Sequence, residues 1–220
     1  MVDISDIYGL ASVTPARATS DDARLRLRVA RGGELYIADY FESLAAEGRI
    51  FGANMGTVTT PITFLATAAN RPDAWLRVPS GTTILPLGVN IAFDAMAGTA
   101  NEIDIRSAEN DIGDGTSSAA SILARRHRTD GGITSAVVAR QLATGDTTAE
   151  TNPLSLFRHT AVSVGTAIDT AVLHVNREML GYPVLVGPAS LILYVASTTT
   201  QATGFVVFTW AEVPSTVFTG

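Results

Sequence analysis

The side chains that catalysis draws on are scattered along this chain. A serine-hydrolase arrangement needs a serine, a histidine and an acid, with the serine on an elbow such as Gly-x-Ser-x-Gly. No such elbow occurs. The three histidines, His127, His159 and His174, stand in unrelated contexts. His159 follows Arg158, and His174 lies in Val172-Leu173-His174-Val175; both read as strand residues satisfied by hydrogen bonds. No spacing among the three suggests a metal site. The best metal candidate is Glu109-Asn110-Asp111-Ile112-Gly113-Asp114-Gly115, because Ca²⁺ prefers carboxylates and backbone carbonyls on a glycine-bearing loop. The segment misses the EF-hand spacing and its downstream bidentate glutamate, and Asn-Asp and Asp-Gly are ordinary turn chemistry. Two facing carboxylates would suit glycoside hydrolysis; Asp94 with Glu102 and Glu150 with Glu178 are the pairs on offer, with no pattern behind them. Arg125-Arg126-His127-Arg128 is the dense basic cluster, suited to phosphate or to an acidic neighbour through guanidinium pairing.

Two absences narrow the chemistry further. All 15 basic residues are arginine, so Schiff-base catalysis, pyridoxal-phosphate anchoring and a Walker-type phosphate loop are excluded. The 220 residues contain 0 cysteines, which removes disulfides, thiolate nucleophiles and cysteine-ligated zinc. A formal net charge of −6 argues against a general nucleic-acid binder. Charged residues make up only 16% and hydrophobic ones 46%, a balance expected of a surface largely covered by other protein. The longest apolar run, Val184 to Ala196, is broken by Gly187 and Pro188 and is too short to span a membrane as a helix. Met1 to Asp6 lacks the basic and apolar regions of a signal peptide, so synthesis and assembly in a cytoplasm are expected. No cofactor is implied.

The elements follow from periodicity. Residues 1–23 read as a polar arm with Pro15 and the acidic pair Asp21-Asp22, anchored at most by Ile4, Ile7, Tyr8 and Leu10. Its two readings are a frayed terminus and an extended arm that crosses onto a neighbouring subunit. One domain should occupy residues 24–220. Arg24 to Val29 alternates without a break, and Gly32-Gly33 supplies a hairpin turn. Pairing Arg31 with Glu34 would set Leu25 opposite Tyr40 and Arg26 opposite Asp39. Alternatively, Asp39 to Glu47 holds a short helix ending at Gly48. Val58 to Phe64 reads as an edge strand because of Pro61, and Ala74 to Val78 as a short strand closed by Pro79-Ser80-Gly81.

Thr83, Leu85, Leu87, Val89, Ile91 and Phe93 occupy every second position of one long strand, with a bulge or bend at Pro86-Leu87-Gly88. Ile103 and Ile105 mark its expected hairpin partner. Residues 108–132 are loop-rich, with a short helix allowed over Ser118 to Arg126. Ile133–Leu142, Leu154–Val162, Thr170–Val175, Ala189–Ser197 and Gly204–Val213 complete about ten strands at sandwich-like spacing.

Leu191 to Ala196 and Phe205 to Ala211 are apolar on both faces, whereas a sheet with one wet face alternates. Such strands need a second cover, and with little helix in the sequence another subunit is the expected one; the other option is a thick sandwich covered by long loops. Phe208 and Trp210 are therefore candidate partner-interface residues. So are Arg24, Arg26 and Arg28, which project from one strand face roughly 6.8 Å apart, although an Arg26–Asp39 pair accounts for part of that stripe.

Val78-Pro79-Ser80-Gly81-Thr82-Thr83-Ile84-Leu85-Pro86-Leu87-Gly88-Val89 resembles strands of jelly-roll virion proteins of tailed bacteriophages, the capsid-decoration and minor structural proteins above all. The closing pair Leu191–Ser197 and Gly204–Val213 is similar to theirs as well. The resemblance implies an all-β antiparallel β-sandwich, jelly-roll-like, with an extended N-terminal arm. It also implies a non-enzymatic protein of the virion, forming a homotrimer and binding capsid or tail proteins. The alternative is a receptor- or carbohydrate-binding module of a phage tail, for which Trp75 and Tyr182 are the aromatics on offer.

Overall fold

The computed structural model describes residues 40–57, 59–65, 71–95, 100–115, 121–122, 125–126, 133–143, 145–162, 172–197 and 201–214. The proposed arm and the Arg24–Asp39 part of the hairpin lie outside these residues. Tyr40 does not extend a strand. It opens the helix α1, Tyr40–Ala46, which ends where Gly48 adopts a left-handed φ of 70°. Arg49 N–H donates to Leu44 O and Gly48 N–H to Ala45 O, both at 2.9 Å, the closing pair of bonds that glycine permits at a helix end.

Thirteen described strands follow. They are β1 Ile50–Met55, β2 Ile62–Thr63, β3 Ala74–Val78, β4 Thr82–Ala95, β5 Ala100–Ala108, β6 Ser121–Ile122 and β7 Arg125–Arg126. After these come β8 Val138–Gln141, β9 Leu154–Val162, β10 Val172–Asn176, β11 Leu185–Val186, β12 Ala189–Ser197 and β13 Thr203–Pro214. One sheet runs β10-β4-β13-β1-β7, with β11 beside β4 and β2 beside β13; the other runs β6-β8-β3-β12-β5-β9. The eight strands β1, β3, β4, β5, β9, β10, β12 and β13 thus form two antiparallel quartets, β1-β13-β4-β10 over β3-β12-β5-β9. That winding is the jelly roll of two Greek keys. Between the quartets lies the main core, where Phe51, Phe64, Leu76, Ile91, Ile103, Leu193, Phe208 and Trp210 are buried together.

The bulge in β4 sits where Pro86-Leu87-Gly88 suggests it. Thr209 pairs with Gly88 and Trp210 with Pro86, leaving Leu87 as the extra residue. An extra residue flips every side chain beyond it to the opposite face. The expectation that Leu85 and Leu87 share a face with Val89, Ile91 and Phe93 is therefore corrected. Ile84 joins the inter-sheet core, while Leu85 and Leu87 turn outward to pack with Leu44, Ala211, Val213 and Phe41. Helix α1 covers that outward cluster.

Three further expectations change. Alternation marks Ile103 and Ile105 as half-buried but does not name their neighbour: β5 pairs with β12 and β9 in the opposite sheet, not with β4. Ser121–Ile122 and Arg125–Arg126 are short strands rather than helix. The edge strand expected over Val58–Phe64 and the strand expected over Ile133–Leu142 shrink to β2 and β8.

The second faces of β12 and of the closing half of β13 are covered from within the chain, while Phe205 and Val207 of β13 stay half-buried. Leu191, Leu193 and Val195 of β12 face the main core. Its Ile192 faces the other way, buried with Trp75, Ala108, Ile112 and Ala143. Ile112 and Ala143 belong to the loops before β6 and after β8, so loop packing supplies the second cover that a subunit was expected to give. On β13, Phe208 and Trp210 are at 0% exposure in the core, while Ala211 and Val213 lie in the cluster beneath α1.

Candidate functional site

Two surfaces stand out: a charged face on the β12 sheet and an apolar edge on the β13 sheet. The charged face is built by the outward positions of β3, β8, β12, β5 and β9. Arg77 on β3 forks onto Asp111, with Nε to Oδ1 at 2.7 Å and Nη2 to Oδ2 at 2.8 Å, and its Nη1 donates to Asp114 Oδ1 at 2.5 Å. Arg140 on β8 takes Asp114 from the other side, Nε to Oδ1 at 2.8 Å and Nη2 to Oδ2 at 2.9 Å. Burial works to raise the pKa of both aspartates, but the guanidinium hydrogen bonds outweigh it and hold them below the ordinary carboxylate range. The buried Trp75 indole adds Nε1–H to Gly113 O at 3.0 Å. These contacts latch residues 109–115 onto the sheet. Of the carboxylates that suggested calcium, Asp111 and Asp114 are thus held by arginines and Glu109 accepts from Asn152 Nδ2 at 2.7 Å, and among the described residues no group of three or more His, Asp or Glu side chains is placed to hold a metal.

A second cluster lies along the same face. Asp104 on β5 accepts from Ser155 Oγ at 2.6 Å, Arg106 Nε at 2.7 Å and Arg158 Nη2 at 3.1 Å. Burial presses its carboxyl pKa upward, and these donors more than offset it, leaving the group low. Tyr194 on β12 donates its hydroxyl to Glu150 at 2.5 Å while its ring lies 5.0 Å below the Arg106 guanidinium. Burial first, and then that bond to Glu150, raise the tyrosine's pKa well above its ordinary value. Among the described residues, the arginines and aspartates of these two clusters are paired with one another, so this part of the face is a fastening.

The apolar edge lies where β10 and β11 flank β4. The turn between them is closed by Leu180 N–H to Asn176 O, Gly181 N–H to Glu178 O and Tyr182 N–H to Arg177 O, at 3.0–3.1 Å. Buried Leu180 and Leu185 anchor it. Met179, Tyr182, Val184 and Val186 remain 42–56% exposed, and Val172 at the start of β10 is 57% exposed. Tyr182 holds a left-handed φ of 56°, uncommon for a residue with a large side chain. Its ring lies 5.0 Å from the Arg177 guanidinium, and the Phe41 ring of α1 lies 4.8 Å from it. Among the described residues no carboxylate pairs with Arg177, and its buried Nε has no acceptor.

The sequence-based candidates fall in separate places. Phe208 and Trp210 are interior residues of one chain, not surface residues free for a partner. Arg24, Arg26, Arg28 and His127 lie outside the described residues, and Arg125–Arg126 pair with Phe51 and Gly52 of β1. His159 is exposed on β9, and His174 is exposed on β10 with Nδ1 2.9 Å from Asn90 Oδ1. Asp94 and Glu102 lie on opposite sheets, while Glu150 is taken by Tyr194 and Glu178 is exposed. Trp75, one of the two aromatics suited to sugar stacking, is wholly buried; Tyr182 is exposed. Sequence reading missed the arginine latch, although Arg77 stands at an outward position of a recognised strand and the acidic loop had been singled out. It also missed the edge patch, whose signal is the run Met179 to Val186 interrupted by Gly181 and Pro183.

No protein-family model matches the chain, and no curated protein matches it. Among solved structures it is similar to the infectious bursal disease virus VP2 subviral particle, at 12% identity and a TM-score of 0.18. The similarity covers 76% of this chain and 42% of that one, so the chain spans less than half the neighbour's length. No functional conclusion rests on it.

Proposed function

We propose that this is a non-enzymatic virion structural protein that assembles with its own copies, as a homotrimer, and binds the capsid or tail surface of a tailed bacteriophage. The observation that carries the reading is the β10–β11 edge. A chain with only 16% charged residues seats its polar side chains in internal fastenings on one face, yet leaves Met179, Tyr182, Val184 and Val186 together at the rim of the other sheet. Apolar side chains gathered in this way usually mark a protein–protein contact. The jelly-roll winding supports it as a scaffold whose edges and loops are available for contacts. The pairing of Arg77 and Arg140 with Asp111 and Asp114, and of Arg106 and Arg158 with Asp104, supports a structural role for the ionic face.

Light scattering on the full chain tests assembly. A stable oligomer at micromolar concentration is the expected result, and a monomer throughout that range would overturn the reading. Co-sedimentation with capsids or tails lacking this protein tests the second half: saturable binding is expected, and its absence on both particles would remove the attachment role.

A further inference from the structure

We infer that Asp73 is a proton-operated fastening between the two sheets. Protonated, it clamps the end of the first sheet onto β12; its ionisation loosens that end of the sandwich ahead of the rest of the fold. The fastening lies within one chain, so it stands apart from the assembly proposed above. Leu65 follows β2, which pairs with β13 in the first sheet, and Val195 lies on β12 in the second. Asp73 bridges them, Oδ1 accepting the Leu65 N–H at 2.5 Å and Oδ2 the Val195 N–H at 2.6 Å. Strand β3 begins at Ala74, opposite Leu193, so the Asp73 side chain carries the pairing one step further along β12. Its backbone is tied as well, N–H to Leu193 O at 3.0 Å and carbonyl to Leu142 N–H at 2.7 Å. Leu142 holds a left-handed φ of 52°, a strained position for leucine that this bond helps to fix. A second side chain crosses between the sheets here, Gln141 Oε1 accepting the Gly56 N–H at 3.2 Å. Of these two crossings only Asp73 titrates.

The join is dry: Asp73 is 2% exposed and Val195 1%. An ionised carboxyl there exchanges its hydration for two amide bonds, and burial outweighs them, so the group keeps its proton up to about pH 7. The charged groups of the elements around it are engaged with one another. On β12, Tyr194 lies close enough for its ionisation to feel the Asp73 charge, but its hydroxyl is on Glu150 and its ring under Arg106. Arg71, on the same segment as Asp73, pairs with Asp146, and Arg140 of β8 pairs with Asp114. Residues 62–65 and 141–143 carry no ionisable side chain. Opening the join admits water, and the hydrated carboxyl then titrates near its ordinary value of about 3.9. The closed form is therefore fully favoured below about pH 4 and loses ground as pH rises to about 7. Across that window the open fraction grows about tenfold per pH unit.

Residue-resolved hydrogen exchange of the full chain between pH 5 and pH 7 tests this, each rate being referred to that of an unstructured amide at the same pH. The Leu65 and Val195 amides should exchange at least about tenfold ahead of the amides that join β4 to β13, as a local opening requires. Their protection should fall about tenfold per pH unit. In Asp73→Asn the protection of the same two amides should be lower at pH 5 and flat with pH. Three results would overturn the fastening. Protection at Leu65 and Val195 that does not change with pH would show that the opening leaves the carboxyl dry. Exchange no faster there than between β4 and β13 would make the opening global. An undiminished slope in Asp73→Asn would assign the proton to another group. The first two are read on the wild type alone, so the case is decided even if the variant does not fold.

Discussion

Replacing Asp73 by asparagine should remove a slope from the pH dependence of stability. Asp73 stands just before β3 and is almost wholly buried. Its Oδ1 accepts the Leu65 N–H at 2.5 Å and its Oδ2 the Val195 N–H at 2.6 Å. Its own N–H donates to Leu193 O at 3.0 Å and its carbonyl accepts Leu142 N–H at 2.7 Å, so one residue ties β12 to two loops. Burial pushes the carboxyl pKa up to about 7, against the lowering effect of the two amides. An unfolded aspartate titrates near 3.9. Between about pH 4 and pH 7 the folded chain therefore holds a proton that the unfolded chain has released, and stability falls as pH rises through that window. The ceiling is about 4 kcal/mol, three pKa units at about 1.4 kcal/mol each. Above pH 7 the contribution is flat. Asp104, Asp111 and Asp114, all held low, have the opposite sign; their stabilisation is present above the ordinary carboxylate range and is lost as pH falls below it.

The assay is the urea midpoint of the full chain at several values between pH 5 and pH 7.5, for the wild type and Asp73→Asn. The asparagine has one accepting oxygen for two amides, so the variant should be less stable than the wild type, by most at pH 5 and by less as pH approaches 7.5. The wild-type profile should tilt downward with pH relative to that of the variant, and titrations shared by both proteins cancel in the difference. Parallel profiles would refute the reasoning, since the slope would then belong to some other group.

Gly204→Ala should destabilise the fold by about 3 kcal/mol, because its Cβ would press on the Ala92 carbonyl oxygen with Phe64 Cε2 at 3.0 Å and Phe93 Cα at 3.2 Å; an unchanged melting temperature would contradict this close packing of β13 on β4. Ile112→Ala, at 0% exposure against Trp75 and Ile192, should cost about 2–5 kcal/mol. Hydrogen exchange should quicken in residues 109–115, and equal quickening in β13 would argue against a separately fastened loop. Asp114→Asn removes the charge that Arg77 and Arg140 share. After solvent screening the loss should be about 1 kcal/mol and shrink at high salt, and a salt-independent loss would point to packing instead.

Much of the fold was legible because half-burial writes itself into alternation. The bounds of β3, β9 and β12 follow from side-chain pattern and turn residues alone, and Gly48 and Pro86-Leu87-Gly88 mark the helix end and the bulge through backbone chemistry that is local. What failed was non-local. The pattern of β5 is the same whether its neighbour is β4 or β12, since periodicity reports a face and not a partner. The candidate surface was harder still. Met179 to Val186 looks like a buried run until Leu180 and Leu185 are seen to take the interior places and leave the others outside.

The sequence by itself determined an all-β chain without lysine or cysteine chemistry, made of strands whose inward residues can be counted by twos. Tertiary structure decided which second face of each apolar strand is covered, and by what. Low charge and doubly apolar strands suggest a surface buried by partners, but Ile112, Ala143 and Leu44 fold back to bury most of it, which shifts the candidate contact from Phe208 and Trp210 to the β10–β11 edge. Pattern can set how much apolar surface must leave water, since that depends on composition along the strand. Which segment covers it depends on chain winding and on pairs such as Arg77 with Asp111, whose partners are far apart in sequence and meet only when the sheets close.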